Sequence, residues 1–152
     1  MFNNSLWRRW EKRFEDEIHK FITPDDELVI DMTQETGFLH GSSDWQKAKK
    51  AWVHVYKNID YELSLEWKEP RQTIEEGIGD CEDVTFLLAS MFPNMGINES
   101  YLAIGDLEFP DGRVEEHTWN IVEGNIADAT GSPEDVKGLR YHEKRKWLIR
   151  ST

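Results

Sequence analysis

The apolar residues of this chain change period partway along it, and that switch constrains the fold more than any single motif. As far as Phe92 they recur at steps of three and four. Trp7, Trp10, Phe14, Ile18 and Phe21 make one stripe, Trp45, Ala48, Trp52, Val55 and Ile59 a second, and Val84, Leu87, Leu88 and Met91 a third. Each is the pattern of one helix face. From Ser100 onward come short segments rich in β-branched and aromatic residues, "SYLAIGDLEF", "RVEEHTWNIV" and "NIADAT", parted by Pro110-Asp111-Gly112 and Glu123-Gly124. These predict an antiparallel meander, to which "KRKWLIR" near the end adds a strand. Helices first and strands after predict an α+β domain.

Punctuation sets the helix ends. Thr23-Pro24-Asp25-Asp26 closes the first helix, within 1–22, and opens a short second one with Pro24 at its first position. Ser43 with Gln46 makes a capping box ahead of the second stripe. "EWKEPRQTIEEGIGD" reads as a turn-rich connection with one helical turn at Gln72–Glu76. The third stripe gives a helix from Cys81 to Phe92, stopped by Pro93, Asn94 and Gly96. In the first helix Arg8, Arg9, Lys12 and Arg13 lie largely off the apolar stripe, which is expected to pack on its own core. No repeat, linker or shift in composition divides residues 1–152, so a single domain is expected, large enough to bury roughly 70% of its unfolded surface.

A net charge of −12 argues against nucleic acid or an anionic membrane as a partner. The acidity reads as a solubility feature, and nothing in the sequence alone ties it to a basic substrate. The single cysteine forms no intramolecular disulfide and suits a reducing compartment. "MFNNSLWRRWEKRF" lacks the apolar stretch of a signal peptide, so a cytoplasmic location is expected. One cysteine and scattered histidines give no zinc-type ligand spacing. Gly77-Ile78-Gly79 lacks the third glycine of a phosphate loop. No metal or cofactor is expected, and the sequence sets no oligomeric state.

That single cysteine stands in "GIGDCEDVTFLLASMF", residues 77 to 92, where the third helix begins. Asp80 is placed to cap the helix, so Cys81 falls in its first turn, where free N–H groups and the helix dipole favour a thiolate. Thiols near pKa 8.5 fall to about 3.5–7.5 at such positions, above all beside an imidazolium. The two glycines permit a tight approach that leaves the sulfur at a cleft. Asp80, Glu82 and Asp83 oppose ionisation and make a cationic partner more necessary. From these residues alone Cys81 is either a nucleophile or a small buried core residue.

Of five histidines, His117 alone has an obvious partner. If Glu123-Gly124 is a two-residue hairpin loop, Val122 pairs with Asn125 and Trp119 falls opposite Asp128. His117 then shares a face with Asp128 as its diagonal neighbour, roughly 7–8 Å away along the backbone. Asp128 could fix one ring nitrogen and leave the other to take the thiol proton. A surface histidine beside a strand-end aspartate is the other reading these residues allow.

Together, Trp67 three residues before Pro70, a helical turn, "GIGDCED", "HTW" with His117 and "IADAT" with Asp128 resemble the transglutaminase-like superfamily, including its bacterial cysteine-proteinase branch. The resemblance spans 67–130. It implies a papain-like α+β fold with the cysteine helix packed on an antiparallel sheet, and a Cys81–His117–Asp128 triad acting through a thioester. It implies a cysteine hydrolase of peptide or amide bonds with a protein or peptide substrate. The alternatives are glutamine acyl transfer to an amine and a non-catalytic interaction module. Half of the oxyanion site is expected from the Cys81 N–H and the other half from Trp67 or Gln72, Trp67 being equally a packing residue. No cofactor is implied, and no calcium-loop pattern occurs. The chain lacks the flanking domains of the large transglutaminases, which weighs against protein cross-linking.

Overall fold

Each apolar stripe forms a helix, and the helices gather on one face of a twisted sheet. The computed structural model describes residues 4–64 and 66–150, with side chains from Arg8 onward. Trp7 of the first stripe therefore lies outside the described side chains. Helix α1 (Asn4–Glu17) runs into a 3-10 turn at Ile18–Phe21. Its stripe packs on its own domain: Phe14 is fully buried against Trp67, Phe86 and Trp147, with ring centroids 4.7–6.1 Å apart. Burying such a ring contributes about 2–3 kcal/mol.

Helix α2 (Glu27–Glu35) is capped by Asp26, whose carboxylate accepts the Leu28 N–H at 2.9 Å. Pro24 thus stands before the cap and not at the first helical position as the sequence predicts. An acid cap satisfies an unpaired amide, which a proline cannot do. Helix α3 (Asp44–Asn58) opens with the expected Ser43–Gln46 capping box and buries Ala48, Trp52 and Val55. The connection after it holds more order than the sequence suggests. Strand β1 (Asp60–Tyr61) pairs in parallel with β2 (Ile78–Gly79), and between them α4 (Pro70–Glu76) starts at Pro70 itself.

Helix α5 (Cys81–Met91) is the centre of the molecule. Its expected stripe is buried, but so are Phe86, Ala89 and Ser90 off that stripe, because α1, α2, α3 and the sheet enclose it on all sides. A 3-10 turn at Phe92–Met95 and Gly96 then end it.

Strands β3 (Glu99–Glu108), β4 (Val114–Val122), β5 (Asn125–Ala127) and β6 (Arg140–Arg150) form one antiparallel sheet in the order β5-β4-β3-β6. The last strand is longer than "KRKWLIR" and crosses over to β3 instead of extending the meander beyond β5. Thr118, Asn120 and Val122 turn toward α5, and the Asn120 side-chain amide donates to the Thr85 carbonyl there. His117 and Trp119 alternate to the opposite face. The fold is the α+β arrangement expected, a buried cysteine-bearing helix against an antiparallel sheet. No helix among the described residues is long and apolar enough to cross a membrane.

Candidate active site

The start of α5 fixes the cysteine. Asp80 accepts the Asp83 N–H at 3.2 Å and Asp83 accepts the Asp80 N–H at 3.1 Å, a reciprocal capping box. Asp83 also accepts the Lys68 N–H at 2.9 Å, pinning the chain ahead of α4 to the same turn. Gly79 makes this approach possible, since a Cβ there would lie 2.9 Å from that of Asp83. Cys81 consequently occupies the first turn, with 8% of its surface exposed at a cleft.

The sulfur's surroundings differ from the expectation in one respect. Its S–H donates to Glu82 Oε2 at 3.2 Å, and the backbone N–H of Thr118 points at it from β4. Burial pushes the thiol well above its ordinary pKa, and the Glu82 and Asp80 carboxylates add to the effect, outweighing the Thr118 N–H. The lowered value expected at a helix start is therefore not met, because desolvation and two adjacent acids exceed what the dipole supplies. Glu82 itself, buried and next to Asp80, is pushed up to about 7.

The hairpin takes the two-residue loop, with Val122 opposite Asn125 and Asn120 opposite Ala127. Strand β5 stops there, which frees Asp128 to turn its carboxylate toward the histidine. His117 Nε2 and Asp128 Oδ2 are 2.8 Å apart. Burial works against the imidazolium, but the Asp128 charge and hydrogen bond more than offset it and raise the His117 pKa. Burial likewise works against the Asp128 carboxylate, yet His117, Tyr141 and Thr130 hold it below the ordinary range.

Two partners of Asp128 were not foreseen in the sequence. Tyr141 Oη donates to Oδ2 at 2.6 Å, and Thr130 donates to Oδ1 from its hydroxyl at 2.7 Å and its backbone at 3.2 Å. Thr130 carries a readable signal, the Asp-x-Thr turn of "DAT". Tyr141 carries none, because its orientation depends on a β-bulge. Ile104 pairs with Arg145 but Gly105 with Glu143, so β6 gains a residue at this step. That shift turns Tyr141 to the face of His117 and Trp119, where its ring meets Trp119 at 5.0 Å.

Cys81, Glu82, His117 and Thr130 line one cleft of about 790 Å³, with Asp128 behind the ring. No hydrogen bond among the described residues joins the sulfur to the imidazole, and none engages His117 Nδ1. The two expected oxyanion side chains stand elsewhere. Trp67 is wedged among Phe14, Phe21 and Phe86 under the Arg13 guanidinium, and the Gln72 amide donates to Glu76 at 2.8 Å. Both line a neighbouring pocket that Cys81 does not reach.

Neither protein-family models nor curated proteins give a match to the chain. Among solved structures, the chain is similar to a putative cysteine protease from Cytophaga hutchinsonii, with a TM-score of 0.55 and 17% sequence identity. The match covers 84% of this chain and 51% of the other, so the chain spans about half that protein's length. At that identity the likeness is one of fold.

Proposed function

We propose that this chain is a cysteine hydrolase of the transglutaminase-like kind, cleaving a peptide or amide bond of a peptide substrate through a thioester. The observation that supports this reading most is the meeting of Cys81, from a helix start, with the His117–Asp128 pair, from a β-hairpin, at one cleft. The fold shared with a putative cysteine protease is consistent with it.

The roles follow from which atoms are free. Asp128 holds His117 through Nε2–H, so Nδ1 carries the lone pair and takes the Cys81 proton. The thiolate forms a bond to the carbonyl carbon, and the backbone N–H of Cys81, in a turn whose amides lack helical partners, faces the developing oxyanion. The imidazolium then protonates the leaving nitrogen as the C–N bond breaks. Water, losing a proton to His117, attacks the thioester. The C–S bond breaks and the thiol takes its proton back. A raised thiol pKa with a raised imidazole pKa describes a resting enzyme whose proton moves when substrate displaces the contact with Glu82. Such a thiol fits a reducing compartment, and we read the protein as cytoplasmic.

Cys81→Ala should abolish turnover of a peptide or amide library while changing thermal stability by only about 1 kcal/mol. A large stability loss with no activity to remove would make Cys81 a core residue. With a glutamine peptide, products that require an added amine would replace hydrolysis by acyl transfer.

A further inference from the structure

We propose that the cleft takes a positively charged substrate, a peptide segment with a lysine or arginine beside the amide presented to Cys81. This rests on the hydrolase reading and names its substrate class. Asp80, Glu82, Glu115, Glu116 and Asp135 line the cleft, and no lysine or arginine does. The protein is not short of cations nearby in sequence. Lys47, Lys49, Lys50 and Lys57 line a separate pocket of about 620 Å³ on α3, so the two signs of charge are segregated.

The carboxylates flank the reacting groups. Glu82 adjoins Cys81, and Glu115 shares a strand face with His117 two residues away. Glu82 holds only the weak Cys81 S–H donor among the described side chains, and Glu115 has only Arg113 at 3.8 Å, an ion pair whose two members are half-exposed to water. Asp80 and Asp135 are already engaged by backbone amides. Glu82, Glu115 and Glu116 are thus the acids that a ligand cation could still pair with. Tyr61, half-exposed at the rim, has its pKa raised first by its partial burial and further by Cys81, Asp80, Glu82 and Glu115. Their field therefore converges at the cleft mouth, where low-dielectric walls strengthen it.

His117 lines the same cleft, its Nε2 held by Asp128 and its Nδ1 kept for the Cys81 proton, so the acids surround the reacting groups themselves. At the rim, Tyr61 and Leu63 are large, exposed and apolar, 54% and 81% accessible, and offer a surface for the aliphatic stem of a lysine or arginine. An acidic peptide would meet only like charge and an unrelieved Glu82.

The test uses the full chain carrying Cys81→Ala, titrated calorimetrically with peptides identical except for arginine, citrulline or glutamate beside the target amide. The arginine peptide should bind about tenfold tighter than its neutral isostere, and added salt should shrink that ratio. Glu115→Gln should cut the ratio severalfold, whereas Asp31→Asn, exposed on α2 and outside the cleft, should leave it unchanged. Equal binding of the arginine and citrulline peptides, no binding by any peptide, or an equal loss with Asp31→Asn would overturn the proposal. Wild-type cleavage of the same peptides reads the hydrolase assignment separately. Cleavage without charge preference sinks only the substrate class, and selective binding without cleavage sinks only the hydrolase.

Discussion

At the scale of single residues, the site depends on how completely Asp128 is held. It accepts from His117, from Tyr141 and twice from Thr130, so its charge is compensated although it is buried. Tyr141→Phe removes one charged-acceptor hydrogen bond, worth about 1.5–3 kcal/mol. Turnover should fall about tenfold with KM unchanged, as expected for a group that positions His117 through Asp128 without touching substrate. The sign with pH is also fixed. A carboxylate with a depressed folded pKa stabilises the protein above its unfolded pKa, and that contribution is lost as pH falls through the folded value. Without Tyr141 the folded pKa rises, so acid unfolding, followed by circular dichroism, should begin at higher pH. An unchanged midpoint and unchanged kinetics would remove Tyr141 from the site. The position of Cys81 at a helix start and the contact of His117 with Asp128 were legible in the sequence because a cap signal and a hairpin parity are local patterns. Glu82 was legible as a neighbouring acid but not as the partner of the sulfur, since a rotamer leaves no trace in spacing.

Among elements, the bulge between β3 and β6 is the feature on which the site's orientation turns. Gly105 lies opposite both His117 and Glu143, and a Cβ there would stand 2.1 Å from the His142 carbonyl oxygen and 2.9 Å from Trp119. Neither the backbone of β6 nor a buried indole can yield cheaply. Gly105→Ala should therefore destabilise the protein by about 3 kcal/mol in denaturant melts. Because Tyr141 adjoins His142, the variant should also lose more activity than Tyr141→Phe under conditions where it remains folded. A change within about 0.5 kcal/mol would show that the register tolerates a side chain there. Sequence periodicity located β3 and β4 to within a residue, and a cap signal located the Ser43–Gln46 box, whereas β5 ends three residues short of the expected "NIADAT". It could not foresee that β6 joins β3, which is a choice among free sheet edges, nor the parity change at the bulge. It also missed the β1–β2 pair, whose two-residue strands carry no period.

For the whole molecule, burial of acids around α5 sets the response to pH. Glu82, at about 7, has a raised folded pKa, and so does His117. Each contributes stability that is complete below its unfolded pKa and is lost as pH rises through the folded value. The protein should accordingly melt higher at pH ~5.5 than at pH ~8.5, with Glu82 responsible for roughly 1–3 kcal/mol of the difference. Glu82→Gln should raise the melting temperature at the alkaline end, leave the acid end nearly unchanged, and retain a slope due to His117 and to Asp83, which burial pushes up to about 6. A wild type equally stable at both ends would contradict the burial of that carboxylate. The α+β architecture was readable from the change of period alone, but the depth of α5 was not. Its stripe suggests one buried face, and only the packing of α1, α2 and α3 around it encloses the rest. That enclosure explains why the thiol is raised where a helix start alone would lower it. The central claim remains that Cys81 becomes acylated with His117 as its base. Intact-mass measurement of the acid-quenched protein, mixed with an activated peptide ester, tests this directly. The account predicts one acyl group per chain, mapping to Cys81, absent in Cys81→Ala and formed at least about a hundredfold more slowly in His117→Ala. Acylation elsewhere, or at an undiminished rate without His117, would contradict it.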